Sequence, residues 1–217
     1  MNKNKIKDLI ISIILLTVFT LWTISVCFVD VKAIGHNGSN VGLSSMNNHI
    51  HKMIGVHLQL YYITDWLGLV PIIFAFGFTI LGTIQWIKRK RLKKVDYSIL
   101  VLGGFYTVVI VSYILFEIIC INYRPVLIDG KLETSYPSST TLLVACIMPT
   151  TLMQFNKRIK NVSHKKFLSF SIVIFIVFMV IGRLISGVHW FSDIIGGLLL
   201  SAGFVMLYRY FVNLKEQ

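Results

Sequence analysis

The sequence predicts an all-α protein, a polytopic membrane bundle of about six transmembrane helices with an amphipathic helix on the outer leaflet. Three observations lead there. Apolar residues fill 55% of the 217 positions and are bunched, not interleaved with polar ones as on a soluble surface. Runs such as LIISIILLTVFTLWTISVCFV and FLSFSIVIFIVFMVIG suit a hydrocarbon core roughly 30 Å thick, and backbone in lipid must satisfy its own hydrogen bonds, so the runs should be helices. Sixteen of the 21 Lys and Arg residues fall on alternate connections.

Spans are expected at 9–29, 66–87, 97–120, 139–155, 167–185 and 194–213. The first, about 21 residues long, exceeds a usual signal-peptide core, so it reads as a retained helix despite the VKA at 31–33. In the loop after it, Leu43, Met46, Ile50, Met53, Ile54 and Leu58 recur at helical spacing behind Ser44 and Ser45, the pattern of an interfacial helix. The third span should stop before NYRP, because Pro125 cannot continue a helix. The fourth contains Pro149, which neighbouring helices can accommodate. The GG pairs at 103–104 and 196–197 suit close helix contacts. No linker or repeat divides residues 1–217, which read as one membrane-embedded domain.

Charge sets the expected orientation. Lys3, Lys5 and Lys7, the KRKRLKK connection at 88–94, NKRIKNVSHKK at 156–166, and Arg209 with Lys215 all fall on one side, which the positive-inside rule makes cytoplasmic together with both termini. The net charge of +12 is thereby a matter of topology, and no nucleic-acid partner is expected. Cys27, Cys120 and Cys146 read as small apolar residues. His49, His51 and His57 do not stack on one helix face and read as ordinary interfacial residues, not metal ligands.

The other five basic residues are Lys32, Lys52, Arg124, Lys131 and Arg183. Arg124 and Arg183 sit at the outer ends of apolar spans, where charge is costly without a partner. His189 and Asp193 open the sixth span on that side, and PSSTT opens the fourth. Guanidiniums bind phosphate oxygens bidentately, and a helix N-terminus offers free N–H groups to an anion. Ser138 or Ser139 is placed to cap that start. At i and i+4 on one helix face, Asp193 would orient the His189 ring and leave one nitrogen free to attack.

These residues resemble the type 2 phosphatidic acid phosphatase superfamily, whose motifs are K-x6-R-P, P-S-G-H and S-R-x5-H-x3-D. The third reads GRLISGVHWFSD, with Arg183, His189 and Asp193 at the family spacing and Gly182 for Ser. The first reads EIICINYRP, with Glu117 for Lys, and the second PSST, with Ser139 for Gly and Thr140 for His. The resemblance implies a membrane lipid phosphatase without a metal or other cofactor. His189 would form a phosphohistidine and Asp193 orient it. Arg124, Arg183 and the Ser138–Ser139–Thr140 helix start would bind the phosphoryl oxygens. Thr140 cannot replace the family's proton donor, and losing a general acid costs about 10²–10⁴-fold. A lipid diphosphate, whose leaving group needs no proton, is therefore the expected substrate, such as an undecaprenyl diphosphate at the plasma membrane's outer face. Glu117, about two helical turns before Arg124, is expected to pair with Arg124 or Arg183; the other reading is a replacement acid. The competing functions are a catalytically impaired lipid-phosphate-binding protein and a transporter. The transporter fits worse because no ionisable residue lies mid-span.

Overall fold

The computed structural model describes residues 3–215, with side chains from Lys5 onward; Lys3, counted above, has its side chain outside the described set. The described residues form α1 (Lys3–Phe28), α2 (Ser44–Ile54), α3 (Leu58–Leu67), α4 (Leu69–Arg89), α5 (Tyr97–Ile118), α6 (Ser139–Arg158), α7 (Val162–Ile185) and α8 (Phe191–Leu214). Helix α3 runs into α4 across Gly68, whose backbone is itself helical (φ −59°). Six crossings result, with both described chain ends and the basic connections at one end of the bundle. The segments 29–57, 119–138 and 186–190 gather at the other.

Five crossings are long and apolar enough to span a membrane: Lys5–Phe28, Leu58–Arg89, Tyr97–Ile118, Val162–Ile185 and Phe191–Leu214. The sixth, α6, is more polar because it packs against α4, α5, α7 and α8 and meets protein where the others meet lipid. Its buried Gln154 donates to the Tyr208 hydroxyl and, at 3.2 Å, to the Ser98 carbonyl. Pro149 sits inside this helix.

Several boundaries differ from the sequence expectation. The second crossing begins at Leu58, not 66, and the amphipathic helix stops at Ile54, because Gly55 turns the chain at φ 74°. The inward face of α2 is polar, carrying Ser44 and Asn47, while Met53 is 74% exposed. Helix α5 ends at Ile118, well before Pro125, because residues 122–135 leave it to form a short hairpin. That hairpin is bridged at Tyr123–Thr134 and Ile128–Lys131 and turns through Asp129 (φ 49°) and Gly130 (φ 76°), the two left-handed positions of a type I′ turn. The two GG pairs also differ. A Cβ on Gly196 would lie 2.7 Å from the Tyr136 ring, whereas one on Gly103 or Gly104 would meet nothing within 4 Å. The first pair therefore does not mark a close helix contact.

The turn between α7 and α8 is clasped by the segment joining α2 to α3. The His57 N–H donates to the Ser186 carbonyl at 2.9 Å, and His51 Nε2 lies 3.1 Å from the Gly187 carbonyl. Gly187 sits at φ 68°, and a Cβ there would fall 2.0 Å from the Gly55 carbonyl oxygen. Gly187→Ala is therefore expected to cost on the order of 1–3 kcal/mol from overpacking, with added backbone strain. Thermal unfolding in detergent should show the lowered midpoint.

Candidate active site

Arg183 lies in the last turn of α7, His189 in the turn that follows, Asp193 in the first turn of α8, Ser138 to Thr140 at the start of α6, and Arg124 on the hairpin. The fold brings all of them to the bundle end opposite the described chain ends.

His189 is not on the α8 helix, as its spacing from Asp193 suggested. It precedes the N-cap residue Trp190. Asp193 reaches back, and its Oδ2 accepts the Trp190 N–H at 2.8 Å. This capping bond pulls the chain around so that His189 Nδ1 stands 3.7 Å from the same oxygen, an electrostatic contact longer than a hydrogen bond. On the other side of the ring, Arg183 Nη2 lies 3.3 Å from Nε2. A guanidinium only donates, so Nε2 must accept and Nδ1 must carry the proton that faces Asp193. That tautomer leaves the Nε2 lone pair turned toward the arginine. Burial, then Arg124 and Arg183, hold His189 well below its ordinary pKa, which favours the neutral ring.

The two guanidiniums converge on Tyr61, 5.6 Å (Arg124) and 4.8 Å (Arg183) from its ring centroid. Each has one acidic partner: Glu133 at 3.0 Å from Arg124 and Asp65 at 3.6 Å from Arg183. Even so, Arg124 Nε and Nη1 and Arg183 Nε are buried without an acceptor, and such orphaned donors mark a place for an anion. Both arginines line a cavity of about 490 Å³ with Tyr61, Glu117, Ser139 and Thr140. The N–H groups of Ser139 and Thr140, in the first turn of α6, have no intrahelical acceptor. Ser138 is used differently from the sequence expectation. Its N–H donates to the Asp193 carbonyl at 3.0 Å, and its hydroxyl accepts from Thr141 at 3.0 Å. It ties α6 to α8 and leaves anion contact to the next two residues.

Glu117 pairs with neither arginine. Its Oε2 accepts from the Thr134 hydroxyl at 2.8 Å. The expected helical spacing to Arg124 is lost because α5 stops at Ile118 and Arg124 belongs to the hairpin, where its N–H donates to the Glu133 carbonyl. Sequence reasoning also missed the supports of the site. Asn47 Oδ1 accepts the Ser192 N–H at 3.0 Å, Asn122 Nδ2 lies 3.5 Å from Asp193 Oδ1, and the Trp190 indole donates to the Tyr123 carbonyl at 2.8 Å. Only the polar spacing of Ser44, Asn47 and His51 within an otherwise amphipathic stretch could have signalled one of them.

The sequence model of the PAP2 superfamily matches residues 116–217. The fold is similar to the crystal structure of the first transmembrane PAP2 type phosphatidylglycerolphosphate phosphatase from Bacillus subtilis. The two share 21% identity and a TM-score of 0.64 over 95% of this chain and 98% of that one. No curated protein sequence matches. The resemblance to the type 2 phosphatidic acid phosphatase superfamily is thus borne out by sequence in the C-terminal half and by fold along nearly the whole chain.

A pH dependence follows from His189. Its pKa is lowered on folding, so the unfolded chain binds more protons below the ordinary imidazole value of about 6.5. Stability is full above that value and falls as the pH drops through it. The melting midpoint should decline from pH 7.5 to 5.5, and His189→Gln, which cannot charge, should flatten that decline.

Proposed function

We propose that this PAP2-type chain is a lipid phosphatase of one membrane-embedded domain, working through a phosphohistidine on His189 Nε2. One observation carries the reading: a neutral, buried imidazole presents its lone pair beside two arginines with unpartnered N–H groups, at the start of a helix. In the first step Nε2 attacks phosphorus and the lipid leaving group departs with the electron pair of the broken P–O bond. Asp193 stabilises the charge that develops on the ring, while Arg124, Arg183 and the Ser139 and Thr140 N–H groups hold the phosphoryl oxygens. Thr140 occupies the position at which the family supplies a proton to the leaving group. A lipid diphosphate, which expels a weakly basic phosphate, suits such a site better than a phosphomonoester. Polyprenyl diphosphates such as undecaprenyl diphosphate belong to that class.

The basic connections lie at the bundle end opposite the site. By the positive-inside rule both termini are cytoplasmic and the site faces outward, where α2 lies along the outer leaflet of the cell membrane.

A second reading, a lipid-phosphate-binding protein that no longer turns over, is favoured by the same Thr140. Phosphate release by wild type and His189→Ala in detergent separates the two, because equal release would end the phosphatase reading. Within it, undecaprenyl diphosphate should be hydrolysed faster than phosphatidic acid or phosphatidylglycerol phosphate. The last is the kind of lipid named for the Bacillus subtilis protein. The opposite order would reject the diphosphate preference.

A further inference from the structure

Beside the large cavity lies a much smaller one, lined by Glu117, Thr134, Ser135, Ser139 and His189 among others, with about 10 Å³ of room for a water centre. That is close to the space one water needs, and a water also requires two to four polar partners. The lining supplies them in the hydroxyls of Thr134 and Ser139 and the Glu117 carboxylate, whereas the buried Ser135 hydroxyl is engaged by Asp193. The cavity therefore has the size and polarity of a single-water site whose lining includes both His189 and a carboxylate, Glu117.

That carboxylate is distinct among those near the site. Asp65 and Glu133 are tied to Arg183 and Arg124. Asp193 is fully buried and caps α8. Glu117 borders both cavities, is exposed, and among the described residues makes no ion pair, only the bond from Thr134. The remaining neutral polar side chains of the two linings, Tyr113, Thr134, Ser139 and Thr140 among them, carry hydroxyls and are weak bases.

We infer that Glu117 is the general base that activates the water which hydrolyses the phosphorylated His189. The inference rests on the phosphohistidine reading above and assigns its second step. The water oxygen bonds to phosphorus, the P–N bond breaks with its electron pair returning to Nε2, and the water's proton passes to Glu117. From there it leaves through the open cavity. The first step, with Thr140 in the donor position, requires a leaving group that departs unprotonated. The second has a base in a place where the family carries a lysine.

The test uses the full chain in detergent, with farnesyl diphosphate labelled on its terminal phosphate as the probe. Glu117→Gln should still give a first-turnover burst of farnesyl monophosphate and should accumulate label on His189. Its steady-state phosphate release should fall by about 10²–10⁴-fold. Formate should restore part of the turnover of Glu117→Ala, which a merely structural role would not allow. Wild-type turnover in Glu117→Gln would overturn the assignment. So would loss of burst and label together, which would put Glu117 in the first step. A wild type that releases no phosphate from any lipid tested would overturn the phosphatase reading, and this role with it.

Discussion

The arrangement depends on one buried carboxylate. Asp193 caps the start of α8 through the Trp190 N–H, its carbonyl accepts the Ser138 N–H of the α6 start, and Asn122 of the hairpin reaches its other oxygen. Three separate stretches of chain thus meet at one residue of zero exposure. A charged group taken out of water is tolerated only when so held. Here the holding also sets the position of the His189 ring, because the capping bond dictates where the residue before Trp190 must stand. The same side chain thus caps a helix and faces the His189 ring.

Around that point the site is built in opposed pairs. Each arginine faces a carboxylate on one side and has at least one unsatisfied N–H group on another. Two guanidiniums over the same tyrosine ring repel, and an anion relieves that repulsion. Glu133 and Asp65 moderate it without saturating the donors, so the arginines stay ordered and still have bonds to give. The imidazole gains from the same field, since neighbouring positive charge opposes its protonation.

Much of this was legible in the sequence, for physical reasons. Six crossings followed from apolar runs and alternating charge, both imposed by the bilayer. Arg124, Arg183, His189 and Asp193 stood out because charge is rare at such positions. The failures share a cause. The hairpin after α5, the split of the second crossing into α3 and α4, and the polar inward face of α2 all lie where protein, not lipid, surrounds the chain, so the membrane's strong preferences no longer apply. Glu117 was misplaced for that reason: the helix expected to carry it alongside Arg124 ends one residue after it. Gly103 and Gly104 show the converse, a small-residue pair with no neighbour close enough to exploit it.

Helices α1 and α8 are paired along their lengths. Lys5 Nζ donates to the Leu214 carbonyl, Asp8 meets Arg209 and Asn213, Ser12 donates to the Gly203 carbonyl, and the Trp22 indole donates to the Ser192 carbonyl. Among the described crossings, α1 is therefore completed by α8, the one farthest from it in sequence. Without α8, Asp8 and Ser12 would lack these partners, a state that lipid penalises. The bundle closes like a clasp, and the turn that carries His189 is held by a residue of α8. A chain lacking α8 would hold Arg124, Arg183 and the α6 start but neither the residue that positions the His189 ring nor the partner of α1.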